Sequence, residues 1–380
     1  MKNKSLKNIV VNLNCLVLII LLTFLIFFSG CINFPNNIER TSDPLEDITQ
    51  DSVSSNIETI ETEINNDQSE AIESPTEEKI QESDDSRSEE NEDEILFSFT
   101  VTGDSRPADD YLPQPETFLK LLQLIKEEGS SFNISVGDII NGGTADEEVI
   151  KRQFNDYLNA VGGSYSVNFV SPGNHDLTNE PTRKYFREMI LMRVINKATD
   201  ADIKIYNPGT SEGLDSFFYY FEFNNIYFII LNAFEKGYWG AVKTDQLAWL
   251  EDVLEVLKDK VVFVTIHTPP YSVLNPDTIT DGSKHVAFSG KENLEYIREL
   301  FRNYKVDGVF SGHEHVYNKE FHNGTTYSII ALSGEYPFFP EEEGGFYHYV
   351  RVDVKSDSWV FNVIGINGDL RYKEEIDFNY

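Results

Sequence analysis

From residue 95 onward the chain alternates short apolar runs with polar segments of helical spacing. The run 95–101, ILFSFTV, is dense in β-branched and aromatic residues and predicts a buried strand. Residues 115–128 place Phe118, Leu121, Leu122 and Ile125 on one helical face. Strand 132–136, a helix over 147–161 and strand 167–170 follow. Strand, helix, strand, helix, strand is the signature of a parallel sheet covered by helices. In such sheets the functional groups gather beyond the carboxyl ends of the strands. Residues 177–215 are mixed and polar, with a helix suggested only at 189–195. Asn224-Asn225 reads as a two-residue hairpin turn between strands 216–223 and 226–232. A loop around Tyr238-Trp239-Gly240 comes next. Residues 244–257 form an amphipathic helix, with Leu247, Leu250, Leu254 and Leu257 on one face and Thr244 as its cap. Strand 261–266 runs into His267. Residues 271–290, with Pro276 and two glycines, read as a loop over the site, and 291–303 as a helix. The apolar run 306–310 leads into a histidine-rich turn. Segments 326–332, 347–353 and 359–366 read as closing antiparallel strands. There is no internal repeat.

Charge divides the chain differently. The 380 residues carry a formal net charge of −33. Residues 1–34 hold Lys2, Lys4 and Lys7 with no acid. Residues 35–94 hold 21 acids against Arg40, Lys79 and Arg87, and the rest is again −18. No basic stripe exists for a nucleic-acid backbone, so no nucleic-acid polymer is expected as partner. The three lysines precede the apolar run 16–28 and then Ser29-Gly30-Cys31, which resembles a lipoprotein signal with its lipobox. That resemblance implies a signal peptide over 1–31, cleavage before Cys31 and a lipid on its sulfur. The alternative is a retained N-terminal anchor. Either places the protein outside the cytoplasmic membrane, anchored to it. Residues 35–94 contain no aromatic side chain, so 32–94 is expected to be a disordered acidic linker. The domain then spans 95–380. Cys15 and Cys31 are the only cysteines, so that domain has neither disulfide nor thiolate ligand.

The chemistry sits on turns that follow apolar runs. In Ser311-Gly312-His313-Glu314-His315 the two imidazoles fall on one side, since side chains alternate along a strand. Such a pair suits zinc, manganese or iron. Alone it is a common surface feature. The design repeats in Gly103-Asp104-Ser105-Arg106, Gly137-Asp138, Gly173-Asn174-His175-Asp176 and Ile266-His267. Together these offer two carboxylates, an amide and three imidazoles. A carboxylate can bridge two cations about 3.5–4 Å apart, an arrangement suited to in-line displacement at phosphorus. His175, next to Asn174, is placed to give the leaving group its proton.

In this order the motifs Asp104, Gly137-Asp138, Gly173-Asn174-His175-Asp176, His267 and Gly312-His313-Glu314-His315 resemble those of the calcineurin-like metallophosphoesterases. His267-Thr-Pro-Pro-Tyr271 and Gly312-His-Glu-His-Val-Tyr317 are most similar to the purple acid phosphatase branch. The resemblance implies an α/β fold, a four-layer α/β/β/α sandwich with a two-metal site between its sheets. Asp138 would bridge the ions, Asp104 and His315 would complete one, and Asn174, His267 and His313 the other. The ions would be divalent or trivalent manganese, iron or zinc.

Two positions depart from the family pattern. Arg106 stands where most members have a histidine, and Asn141 where purple acid phosphatases have a tyrosine. Arg106 cannot be a ligand because it stays protonated. It either pairs with an acid or grips phosphate oxygens with its planar fork. Asn141 is a ligand or a turn residue before Gly142-Gly143. Asp176 is expected to orient His175, the alternative being that it caps a turn. His285, His322 and His348 lack motif partners and read as surface or core residues, though His285 could touch substrate from its loop. The expected activity is hydrolysis of small phosphate esters, monoesters ahead of diesters. The other class is a surface-binding lipoprotein with a degenerate first metal site.

Overall fold

The apolar runs become the strands of two sheets packed face to face. The structure, a computed structural model, describes residues 94–206, 217–236, 240–274 and 291–379. The signal segment 1–31, the linker up to residue 93, the Tyr238-Trp239 turn, most of the 271–290 loop and His285 lie outside the described residues. In chain order the elements are β1 (Phe97–Thr102), α1 (Glu116–Glu128), β2 (Asn133–Ser135), α2 (Glu147–Val161) and β3 (Asn168–Val170). Next come α3 (Glu180–Tyr185), a π-helical turn (Phe186–Leu191), α4 (Met192–Asp200), β4 (Lys204–Tyr206), β5 (Tyr219–Phe223) and β6 (Ile226–Ile230). Then follow α5 (Thr244–Val256), β7 (Val262–Thr265), α6 (Lys291–Asn303), β8 (Gly308–Ser311), β9 (Tyr317–His322) and β10 (Thr325–Ile330). The chain closes with β11 (His348–Val354), β12 (Ser358–Gly365) and β13 (Leu370–Asp377).

One sheet has the order β13-β12-β11-β1-β2-β3, the other β4-β5-β6-β7-β8-β10-β9. β1, β2 and β3 are parallel, as are β6, β7, β8 and β10. Their inner faces meet in an aromatic core. Phe99 of β1 lies 5.3 Å from Phe132 and 5.2, 5.8 and 6.0 Å from Phe228, Phe263 and Phe310 of the other sheet, mostly edge to face. α1 covers the outside of the first sheet, with Leu121 and Ile125 against Tyr349 and Ile364. Phe118 of α1 stacks on Tyr157 of α2. α5 and α6 bury Leu247, Leu250 and Leu254, and Ile297, Leu300 and Phe301. Phe301 faces Tyr327 of β10. Helices outside two sheets complete the expected four layers.

Several local expectations change. α5 starts after Lys243, with no side-chain cap, so Thr244 is its first helical residue and not its cap. Segment 326–332 is not simply antiparallel, since β10 pairs parallel with β8 and antiparallel with β9. β4, β9 and β13 were not anticipated. All three lie at sheet edges, where burial no longer imposes apolar alternation. The helical stretch near 189–195 extends over 180–200 with the π turn inside it. The hairpin forms as expected, with Asn224 and Asn225 both at positive φ.

Candidate metal centre

Five strand ends, from both sheets, deliver the polar side chains to one place. Asp104, Asp138 and Asn174 follow β1, β2 and β3, while His267 follows β7 and His313 and His315 follow β8. The turns are tight. Asp104, Asp138, His313 and His315 have φ of 50°, 52°, 75° and 42°, the left-handed region that a non-glycine residue enters at a cost. Two glycines let the turns close. A Cβ on Gly173 would strike the Asp138 carboxylate, and one on Gly312 the Asp104 carboxylate. The His313 N–H donates to both Asp104 oxygens, at 3.1 and 3.0 Å, across the two sheets.

Tautomers follow from the backbone. His267 Nδ1 lies 2.7 Å from the Val136 carbonyl, which can only accept, so Nδ1 carries the hydrogen. In the neutral ring Nε2 then turns a lone pair toward Asn174 Oδ1 at 3.2 Å and Asp138 Oδ2 at 3.5 Å. His315 Nδ1 likewise donates to the Tyr336 carbonyl at 3.0 Å and leaves Nε2 facing Asp104 Oδ1 at 3.5 Å. His313 Nδ1 is 3.0 Å from the same Asn174 oxygen. A proton on His267 Nε2 or on His313 Nδ1 would make these contacts hydrogen bonds; without it, lone pairs at 3.0–3.5 Å repel unless other positive charge stands among them. Neighbouring donors around one ion bound at about 2.1 Å lie roughly 3.0–3.5 Å apart, so the spacing fits a metal. Asp104, Asp138 and His267 hold ligand atoms within 4.8 Å of one another, all buried.

Protonation shows the same demand for positive charge. Burial, and the neighbouring Asp138, raise the Asp104 carboxyl well above its usual range. Burial also acts to raise Asp138, but His267 and His175 outweigh it and hold that carboxyl low. Burial acts against a charged His267, yet Asp138 and Asp104 lift it to about 9. In the metal-free chain a proton on His267 thus occupies the electrostatic place of a cation. His313 and His315, buried and facing other positive groups, are pushed down to about 3 and offer neutral imidazoles. Asn174, His267, His313 and Asp138 would hold one ion. Asp104, His315 and Asp138 would hold the other.

His175 and Arg106 flank this group on the side of a cavity of about 440 Å³, which is also lined by Gly142, Gly143 and Thr178. His175 Nδ1 donates to the Asn141 carbonyl at 2.5 Å, which leaves Nε2 to exchange a proton with a ligand. Its N–H donates to Asp138 Oδ1 at 3.0 Å. Burial lowers the His175 pKa, partly offset by Asp138. Arg106 Nε lies 2.9 Å from Glu335 Oε2 and 4.0 Å from Asp138 Oδ2, an ion pair without hydrogen-bond alignment to Glu335. It is the one Lys or Arg among the described residues lining the cavity.

One expectation is corrected and one open alternative is decided. Asp176 does not reach His175. Its oxygens accept from the N–H groups of Gly173, Asp138 and Ile139 at 2.8, 2.9 and 3.0 Å, so it shapes the two ligand turns instead. Burial pushes it up to about 7. Asn141 is a turn residue whose amide donates to the Pro107 carbonyl at 3.2 Å, away from the ligand cluster. His322 stacks on Tyr271 and His348 is fully buried, both outside the centre.

Glu335, Tyr336 and Phe338 escaped the sequence reading. Glu335 follows the apolar end of β10 through Ser333-Gly334, the same run-glycine-acid pattern as the ligand turns, and that signal was readable. Its N–H donates to the Asp104 carbonyl at 2.9 Å. Glu314, inside the histidine motif, turns away. It accepts from the Ser272 hydroxyl and, at 2.8 Å, from the Val273 N–H, which ties down the turn after His267.

A family model described as calcineurin-like phosphoesterase matches residues 97–317. No curated protein sequence matches the chain. Among solved structures, a dimetal phosphatase from Danio rerio aligns at 15% identity with a TM-score of 0.53, over 75% of this chain and 100% of that one. The purple acid phosphatase PPD1 from yellow lupin aligns at 15% and 0.51, over 75% of this chain and 54% of its own. GAP50, described as the anchor in the inner membrane complex of Plasmodium, aligns at 13% and 0.52, over 76% and 90%. At these identities the likeness concerns the fold.

Proposed function

Because the chain belongs to the calcineurin-like phosphoesterase family and is on that ground a phosphate ester hydrolase, we propose that it cleaves small phosphomonoesters at a two-metal centre. The observation that carries this reading is the convergence of ligand atoms of Asp104, Asp138, Asn174, His267, His313 and His315 at a cavity to whose lining Arg106 and His175 also belong. Bound ions of manganese, iron or zinc would neutralise phosphoryl charge and lower the pKa of a water. The chain's own residues do the rest. Arg106 offers its guanidinium to a phosphoryl oxygen while Glu335 holds it in place. His175, its Nδ1 committed to Asn141, passes a proton from Nε2 to the leaving oxygen. The turn residues Asp176 and Gly173 keep the Asp138 and Asn174 side chains in position.

We place this activity outside the cytoplasmic membrane. Support comes from Lys2, Lys4 and Lys7 before the apolar run, and from Ser29-Gly30-Cys31 after it. Lipid on Cys31, or a retained N-terminal anchor, would tether the protein, with residues 32–94 as spacer. Elemental analysis combined with a screen of mono- and diesters tests the proposal. Two ions per chain and monoester turnover lost on chelation are expected. Faster diester turnover would make it a phosphodiesterase. Bound metal without turnover of any ester would leave a binding protein.

A further inference from the structure

The cavity above the ligand cluster is much larger than a phosphoryl group needs. At about 440 Å³ it falls in the size range of pockets that enclose a whole small molecule. Two aromatic residues, Tyr336 and Phe338, are part of its lining. The Phe338 ring stacks on the imidazole of His315, with centroids 4.1 Å apart and planes 26° from parallel. The Tyr336 ring stands edge-on to both, 5.6 Å from His315 and 5.5 Å from Phe338.

Tyr336 is 56% exposed, so much of its ring is open to the cavity side and to solvent. Its task toward the centre, accepting from His315 Nδ1, is done by the backbone carbonyl and does not need the ring. Packing therefore does not account for the phenol. The cavity also carries Gly142 and Gly143, which present peptide and no side chain. Gly142 sits at φ +63°, and a Cβ there would strike the His175 carbonyl. Bare peptide and aromatic faces suit a flat group. Arg106 is the one Lys or Arg on the described lining and is already assigned to the phosphoryl group. A second anionic group on the leaving alcohol would find no second Lys or Arg among the described residues of the lining.

We propose that the exposed ring of Tyr336, with Phe338 set edge-to-face beside it as a wall, forms a stacking platform that selects phosphate esters whose leaving group carries a neutral planar aromatic ring, such as a nucleobase or an aryl group. The proposal rests on the phosphoesterase reading of the same site. Tyr336 and Phe338 act on specificity, and the ester bond is broken as set out above.

The test compares adenosine 5′-monophosphate with ribose 5-phosphate on the metal-loaded full chain. The two present the same ester linkage and differ by the base. Stacking of one base on an aromatic side chain is worth roughly 5- to 150-fold. The parent protein should prefer adenosine 5′-monophosphate in kcat/KM by a factor in that range. Tyr336→Ala should erase most of the preference, bringing the ratio of the two kcat/KM values close to one. Tyr336→Phe should keep it. A parent without preference, or an alanine variant that slows both esters alike, overturns the platform. Calorimetric titration with adenosine and with ribose covers the case of no turnover at all. Absent turnover sinks the activity reading. The platform still stands if adenosine binds and Tyr336→Ala abolishes that binding, and it falls if adenosine does not bind the parent.

Discussion

Arg106 and Glu335 allow a structural role to be separated from a substrate role. Glu335 has no exposed side-chain surface and Arg106 only 12%. Burial raises the Glu335 carboxyl, and Arg106 opposes that rise. Arg106→Met therefore strands a buried carboxylate beside Asp138. Breaking a buried pair in this way costs about 3–5 kcal/mol. For a domain of this size that is a fall in Tm on the order of 6–10 °C. Arg106→Met/Glu335→Leu removes both charges, and a well-packed apolar pair should recover most of the loss. If the guanidinium also grips phosphate, activity should stay low in the double variant. A hydrogen bond to a charged group is worth about 1.5–3 kcal/mol, so kcat/KM should remain roughly 10- to 150-fold down. Inhibition by inorganic phosphate should weaken in parallel. Melting curves and initial rates on the three proteins decide it. A double variant with parental Tm and parental kcat/KM would show that Arg106 only neutralises Glu335.

Three further outcomes are expected. His175→Asn should cut turnover roughly 10²–10⁴-fold for esters with poor leaving groups, and far less for activated ones, at unchanged metal content; equal losses would refute proton donation. Burial holds His348 down to about 4 against about 6.5 when unfolded, so its stabilising contribution is complete above pH 6.5 and is lost as pH falls toward 4. That amounts to roughly 3 kcal/mol, and His348→Gln should remove this part of the pH dependence in denaturant melts at pH 4 to 7. A chain beginning at Glu94 should melt at the same temperature as the full one, since sheet pairing begins where the Leu96 N–H donates to the Val354 carbonyl at 2.8 Å.

The candidate ligands were legible because each stands in a polar turn directly after a buried run. α2 and α6 were legible to the residue, α2 because Asp146 caps it by accepting from the Glu148 and Val149 N–H groups. The two missed groups have different causes. β4, β9 and β13 pair on one side only and carry charged or half-exposed residues, so their pattern resembles loop. Glu335, and Asp176 in its contacts with Asp138 and Ile139, act on partners distant in sequence. Glu335 meets Arg106 only after β10 comes to lie against the β1 turn. For Asp176 the sequence offered a histidine neighbour, while the fold offered backbone N–H groups nearer its carboxylate.

The order of the first sheet governs how the chain can be made. β1 lies between β2, which follows it closely, and β11, which pairs Phe97 with Val354. A chain emerging from its amino end therefore holds one flank of β1 open until nearly all residues are available. Contacts of such long sequence separation close slowly. Unpaired strand edges are also adhesive in the meantime. Asp104 likewise meets the His313 N–H only across 209 residues. The metal centre is thus among the last parts of the molecule to exist, and it cannot serve as a nucleus on which the rest assembles.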